Sequence, residues 1–469
     1  MGEAQVSLFR PSYNRAVAVV ASPTPLTEDA GALLLREASR VLGLDSLLAG
    51  LPDHRDPALV TYSMSELVRA RVLLLAQGWG DQGDADTLRF DPALRAAVSD
   101  RSGEAPLAPD SHLASQPTLS RVQHALSDAD GTRALECVLR TVGLGRLRSA
   151  EPRRGRLVLD IDTLPIEVWG HQEGSGYNAH YGVTCFQPLV VFADTGDLLA
   201  VHLRPSANPT AKEAEDFLSP VLADAKRAGF SVCVRMDAGF ANGHLMRCLD
   251  GKRVRFVIRL RTTRALRERT DEWFTATTRA WAESRDPEAP GRTATHEVWE
   301  RTEKGGRVRR ILAVAVEPAP GELLPRRFFL CTNFARKEGG SAVLLALYRQ
   351  RGTAEGHIGE FVRETVPSLR AVPRGRTPNT VGIRDNNVAL LFAALAYELL
   401  HHLRRGVERT QREGCSLRRL RERVLKVATS VVRHARQCVF RICPTKAALW
   451  EALARAIAPP AQLALEGSR

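Results

Sequence analysis

Apolar positions recur at helical spacing over residues 32–42 and 64–77, and a polar turn over residues 78–86 follows the second run. The segment Gln116-Pro-Thr-Leu-Ser-Arg-Val122 reads as a further helix start, with Pro and Thr near the entry. Residues 1–150 are therefore expected to form a helical N-terminal domain. A different texture begins at Arg156, where Leu157-Val-Leu-Asp160-Ile-Asp162 is an apolar strand ending in two carboxylates. Residues 182–192, 198–203, 231–236 and 254–260 read as further strands, and residues 213–228 as an amphipathic helix. This interleaving predicts a mixed α/β core over residues 151–266. Between residues 267 and 336 the pattern turns to charged strands (296–301, 307–316, 327–332), a β-rich insertion. Helical texture returns over residues 337–403, which would complete the core. A basic helical region is expected over residues 404–469.

Charge sharpens this division. The 469 residues carry a formal net charge of +13, but residues 1–150 are slightly acidic and most of the surplus lies after residue 400. Residues 404–441 hold twelve Lys and Arg against three Glu, too one-sided for a face solvated by its own ion pairs. Within residues 417–432, Leu417, Leu420, Val424, Leu425, Val427 and Val431 form an apolar stripe. An amphipathic helix whose coat includes Arg418, Arg419, Arg421, Arg423 and Lys426 is expected to meet phosphate. Thr118, Ser120 and Arg121 at the start of the earlier helix are candidates for reading a DNA groove in a helix-turn-helix, although short polar helix starts are common. The eight cysteines match no zinc spacing and read as reduced, mostly buried thiols of a reducing compartment. The apolar run 388–400 is too short to span a bilayer and the N-terminus lacks a secretory h-region, so a cytoplasmic, nucleoid-associated protein is expected.

The carboxylates give this basic chain its chemistry. Asp160 and Asp162 are two apart on a strand and project from one face. Asp237 ends the strand Ser231-Val-Cys-Val-Arg-Met236. Taken singly, each reads most simply as a strand-terminal Asp capping a turn. A third element alters the balance: Tyr348, Arg351 and Glu355 share one helix face at steps of three and four. A phenol, a guanidinium and a carboxylate together suit a cation-bound phosphate, with Arg clamping phosphate and Glu holding the cation.

With these residues in view, the chain resembles the DDE transposases of bacterial insertion sequences, in the branch with a Y-x-x-R-x-x-x-E signature and a β-strand insertion before the glutamate. The motifs Leu159-Asp-Ile-Asp162, Gly170-His-Gln172, Tyr177-Asn-Ala-His-Tyr181-Gly, Arg204-Pro, and Arg235-Met-Asp237-Ala-Gly-Phe240 resemble the insertion-sequence 1380 family. So do Asp84-Ala-Asp-Thr-Leu-Arg-Phe-Asp91-Pro and Ser115-Gln-Pro-Thr-Leu-Ser-Arg121 nearer the N-terminus. The resemblance implies an RNase H-like α/β catalytic core carrying a β-rich insertion. Asp162, Asp237 and Glu355 would be the catalytic acids, holding two Mg²⁺ ions (Mn²⁺ as substitute), with Asp160 assisting. It also implies cleavage at the terminal inverted repeats, joining of 3′-hydroxyl ends to target double-stranded DNA, and a homodimer on DNA. Tyr348 and Arg351 would grip the strand. The wider signature has Lys seven residues after the glutamate; Val362 stands there, and the neighbouring Arg363 is the candidate for a shifted phosphate contact. Two alternatives stay open: a transposase-derived DNA-binding protein that has lost cutting, and a related nuclease that cuts without joining.

Overall fold

The apolar runs of the middle of the chain assemble into one eight-stranded mixed sheet. The computed structural model describes residues 7–14, 16–169, 172, 174–179, 181–206, 213–284, 291–301, 307–318, 322–369, 380–434 and 436–457. The sheet's strands are β1 (Arg156–Thr163), β2 (Leu189–Ala193), β3 (Leu198–His202), β4 (Ser231–Met236), β5 (Arg255–Leu260), β6 (Thr293–Arg301), β7 (Val308–Val316) and β8 (Arg326–Thr332). Their spatial order is β6-β7-β8-β5-β4-β1-β2-β3. The central strands β1, β4 and β5 run parallel, and every other pairing in the sheet is antiparallel. Parallel strands covered on both faces should read as near-continuous apolar runs, and Leu157 through Ile161 are all buried. One face packs Leu157, Leu159, Val232, Val234 and Phe256 beneath the helices Ala214–Arg227 and Gly243–Gly251. The other packs Val158, Cys233 and Val257 with Leu344, Leu345 and Tyr348.

The expected strand over residues 182–192 is interrupted at Gln187-Pro188 into Val183–Phe186 and β2, because proline cannot donate to a ladder. The region beginning at residue 267 does not open as strand and turn. It opens with the helix Arg264–Glu283, whose N-terminus is capped by the Thr263 hydroxyl. That helix buries only Leu266 and Thr270 fully, so its apolar periodicity is faint. The three charged strands that follow are β6, β7 and β8, and they prolong the central sheet through the β8–β5 pairing. The expected single helix carrying Tyr348 and Glu355 is two helices, Ser341–Arg349 and Arg351–Thr365, joined at Gln350. The second is called the glutamate helix below.

The chain divides into two compact units. The sheet belongs to the unit formed by residues 127–363 and 368–394. The other comprises residues 1–126, 364–367 and 395–469, so the front and the tail of the chain fold together. Within it the expected helices appear as Gly31–Val41 and Met64–Gln77, the latter opened by a Ser63/Glu66 capping box. The basic tail departs from expectation. Its helix covers only Leu417–Leu420 and a π-helical turn, Arg421–Leu425. Residues 429–434 form instead a strand, Thr429–His434, pairing with Gln437–Ile442 and with Leu26–Thr27. β-branched Thr429, Val431 and Val432 favour this outcome once a partner strand is at hand. A final helix spans Pro444–Ile457.

All eight cysteines are free, but only Cys185, Cys233 and Cys331 are buried, which corrects the expectation of mostly buried thiols. Among the described residues no helix is long and apolar enough to cross a membrane.

Candidate active site

Strands β1 and β4 are parallel neighbours, so their carboxyl ends lie on one edge of the sheet. Asp162 sits one residue before the end of β1, and Asp237 directly follows β4. Asp237 accepts the Gly239 amide at 2.9 Å and so caps the short turn Ala238–Phe240. Asp162 accepts the Thr163 amide at 2.9 Å through one carboxylate oxygen. Its other oxygen meets the Arg351 guanidinium at 2.5 Å. Arg351 also reaches Glu355, one turn along the glutamate helix, at 3.3 Å. Arg351 thus bridges two of the three acids named from the sequence, and its side chain is only 11% exposed whereas that of Glu355 is 67% exposed.

The charge around Asp162 is poorly balanced. Burial pushes its carboxyl up to about 6; Arg351 opposes this, while Asp237 and Glu355 raise it further by like-charge repulsion. Burial also raises the Tyr348 phenol, against the nearby Arg351 and Arg259. Among the described residues no three His, Cys, Asp or Glu side chains converge closely enough to hold a metal ion. The donor chemistry nevertheless suits a hard divalent cation: oxygen ligands only, mutually repelling and partly desolvated. Arg351 stands between Asp162 and Glu355 where such a charge would relieve them.

Asp160 behaves differently from its neighbour. It faces Arg235 across the β1–β4 register, and both its oxygens are taken by that guanidinium, at 2.8 and 2.5 Å. Both side chains are almost wholly buried, at 2% and 1% exposure. Arg235 further donates to the Leu347 carbonyl at 2.8 Å, tying β4 to the helix that leads to Arg351. With its oxygens so engaged, Asp160 is a structural partner of Arg235 rather than an assisting ligand.

Arg363 is exposed near the end of the glutamate helix. Its guanidinium lies over Gly359, where an added Cβ would meet it at 3.0 Å, one turn from Glu355 on the same face. Val362 is half-buried. Thr118, Ser120 and Arg121 lie on the helix Gln116–Ala125 in the other unit. There Ser120 donates to Gln82 at 3.0 Å and Arg121 to the Thr118 hydroxyl at 3.1 Å. Ser120 is thus engaged within its own unit, while Arg121 is exposed.

In the tail the expected arginine coat divides. Arg419 and Arg423 are exposed, and Arg418 pairs with Glu422 at 2.8 Å while staying 75% exposed. Arg421 turns inward to Glu364 at 2.7 Å and to the Ala76 carbonyl at 3.1 Å. Lys426 pairs with buried Asp29 at 2.7 Å and lies 4.1 Å from the centre of the Trp79 ring. These two cations hold the fold together, which removes them from the phosphate-facing set. Gly170, His171 and His180 of the quoted motifs lie outside the described residues.

The structure gives contacts to Tyr181 and Arg235, which the sequence placed only within quoted motifs, and to Arg259, which it did not name. Tyr181 is 40% exposed; its phenol bonds to Thr163, and its proton is held by burial and by the charges of Asp162 and Asp237. Arg259 joins Phe328, Tyr348, Arg351 and Glu355 in lining an open cleft of about 560 Å³. The signal for Arg235 was an arginine inside an apolar strand, which requires a buried partner.

No curated protein matches the chain at a significant level. A protein-family model does: Transposase DDE domain group 1, over residues 9–459. With a match over nearly its whole length, the chain belongs to that family of DDE transposases.

Proposed function

We propose that this transposase cleaves DNA at the ends of an insertion sequence and joins the freed 3′-hydroxyl ends to target DNA, with Asp162, Asp237 and Glu355 as its catalytic acids. The observation that carries this reading is the bridge Asp162–Arg351–Glu355 at the sheet edge shared with Asp237. Asp162, Asp237 and Glu355 would together hold two divalent ions. When bound, Mg²⁺ or Mn²⁺ would activate the attacking oxygen and stabilise the leaving one in an in-line displacement.

The chain's own groups do the rest. Arg351 would exchange its contact with Asp162 for a phosphate oxygen, a swap between two oxyanions that its planar fork accommodates. Tyr348, half-buried against the sheet, would hold the sugar-phosphate next to it, and Arg363 would take a further phosphate along the same helix face. In hydrolysis a water oxygen bonds to phosphorus as the bond to the 3′-oxygen breaks and takes up a proton. In joining, that 3′-hydroxyl bonds to a target phosphorus and displaces the target's own 3′-oxygen. Each step forms one P–O bond as another breaks, the attacking oxygen giving up a proton and the leaving 3′-oxygen taking one up, so no protein nucleophile is needed. Joining two ends calls for two copies on the DNA, and the overall pattern fits the insertion-sequence 1380 branch.

The test is incubation with duplex carrying the element's ends and Mg²⁺ or Mn²⁺. Asp162→Asn, Asp237→Asn and Glu355→Gln should each lose cleavage by more than about 10²-fold, beyond what outer-shell changes cost a metal site, with DNA binding retained. Unchanged cleavage by Asp237→Asn would sink the assignment. Cleavage with no joined product would favour the nuclease reading.

A further inference from the structure

At the amino-terminal ends of β1 and β4, away from the acids, the structure contains a cleft of about 690 Å³. Arg156 opens β1 and Asp162 lies six residues on, so cleft and acids are roughly 20 Å apart along the strand. Arg156, Lys226, Arg253, Arg255, Arg307 and Arg309 line it, against Asp250 and Glu338. Both carboxylates are already engaged. Asp250 pairs with Arg309 at 2.9 Å and accepts from Asn333 at 2.9 Å, and Glu338 pairs with Arg255 at 2.5 Å.

The remaining cations have no such balance. Arg156, Arg253 and Arg307 are exposed, and among the described residues none of them has an ion pair. Arg309 is nearly buried, at 3% exposure, and only one of its nitrogens meets Asp250; Nε and Nη2 have no hydrogen-bond partner. Its guanidinium faces the Phe256 ring at 5.4 Å; Asp250 offsets its charge, so the net positive field of the cleft comes from the unpaired Arg156, Arg253 and Arg307. Three exposed guanidiniums without ion pairs among the described residues, Arg156 lying over the Phe334 ring at 5.6 Å, are suited to an anion with several oxygens.

We propose that this cleft is a second phosphate-binding site, separate from the acid cluster, in which Arg156, Arg253 and Arg307 take successive phosphates of a DNA backbone. The choice of DNA rests on the transposase reading; the phosphate chemistry does not. A free polyphosphate presents the same groups, and the test separates the two sources.

The triple variant R156A/R253A/R307A changes exposed side chains only. Each lost phosphate contact should lower the slope of log binding constant against log salt by about 0.9, so a fall of about 2 to 3 is expected. Cleavage of saturating end DNA at low salt should be unchanged. The triple Lys variant should restore most of the slope, which a folding defect would not allow. In parallel, tripolyphosphate is titrated while following emission from Trp299, which lines the same cleft, with W299F as the reference. A lost emission response in the triple Ala variant with an unchanged DNA slope would keep the phosphate site and identify free polyphosphate as its ligand. An unchanged slope together with an unchanged emission response overturns the proposal. Asp237→Asn should leave the slope intact while losing cleavage, so failure of the catalytic reading and failure of this one give different results.

Discussion

Asp160 and Asp162 stand two residues apart on the same strand face, in unlike surroundings. Asp160 spends both oxygens on Arg235 in the protein interior. Removing one member of such a pair leaves a buried charge uncompensated, at a cost of about 3–5 kcal/mol. Arg235→Met should therefore lower stability by about that amount in urea melts. Without the guanidinium, Asp160 gains proton affinity, so the loss should be greater at pH 8 than at pH 5. Asp162 has only one guanidinium contact against burial and two other acids, and its carboxyl stands at about 6. A folded-state carboxyl above its unfolded value, near 4, means the folded chain binds the proton more tightly. Its contribution is fully present below pH 4 and is lost as pH rises through 6, by about 3 kcal/mol in all. A bound cation reverses this penalty. Affinity for Mn²⁺, followed by calorimetric titration, should fall about tenfold per pH unit below 6, because cation and proton compete for the same oxygens. An affinity flat between pH 5 and 7 would rule out Asp162 as a ligand.

At the scale of elements, the position of Glu355 depends on how its helix meets the sheet. His357 stacks on Phe192 of β2 with ring centroids 6.4 Å apart, and Phe361 is fully buried in edge contact with the same ring. The turn between β2 and β3 comes so close that a Cβ at Gly196 would stand 2.7 Å from the His357 ring, and φ there is +91°. Gly196→Ala meets both obstacles: backbone strain of about 1–3 kcal/mol and a displaced helix. It should lower the melting temperature and also reduce DNA cleavage, although residue 196 touches no DNA in the proposed reaction. Adding His357→Ala should recover part of the cleavage by removing the clash, while the backbone strain persists. Equal cleavage by Gly196→Ala and the native protein would show that this turn does not seat the glutamate helix.

Across the whole molecule, the +13 charge is not one surface. Part of the Arg-rich tail is structural: Arg421 and Lys426 meet carboxylates inside their own unit. Thr429–His434 is the inner strand between Gln437–Ile442 and Leu26–Thr27, so deleting the tail would remove it, leave Leu26–Thr27 unpaired and expose core. Point changes separate the roles. Arg419→Ala with Arg423→Ala should lower the salt slope of DNA binding by about 1 to 2 and leave melting unchanged. Arg421→Ala should cost about 1.5–3 kcal/mol of stability, the worth of hydrogen bonds to a charged group. A reversal of these two outcomes would show that the wrong arginines have been assigned to DNA.

Much of this protein is determined by local sequence. The strands ending in Asp162 and Asp237 declare themselves because an unbroken apolar run in a parallel sheet is buried on both faces, a property of consecutive residues. The heptapeptide step from Tyr348 to Glu355 survives the joint at Gln350, since one turn of altered hydrogen bonding barely shifts a helix face. The helix Arg264–Glu283 and the strand Thr429–His434 were not legible, because one buries too little to print a period and the other, with apolar positions that also fit a helical stripe, is fixed by pairing with Gln437–Ile442 on one side and Leu26–Thr27 on the other. The division of labour between Asp160 and Asp162 likewise needed the structure. A carboxylate's role depends on the charges brought within a few ångströms of it, and those come from Arg235 on one neighbouring strand and Arg351 on a distant helix. Sequence supplied the acids and the helix face; tertiary packing decided that Asp160 is neutralised by Arg235 while Asp162 keeps a single guanidinium contact among other acids.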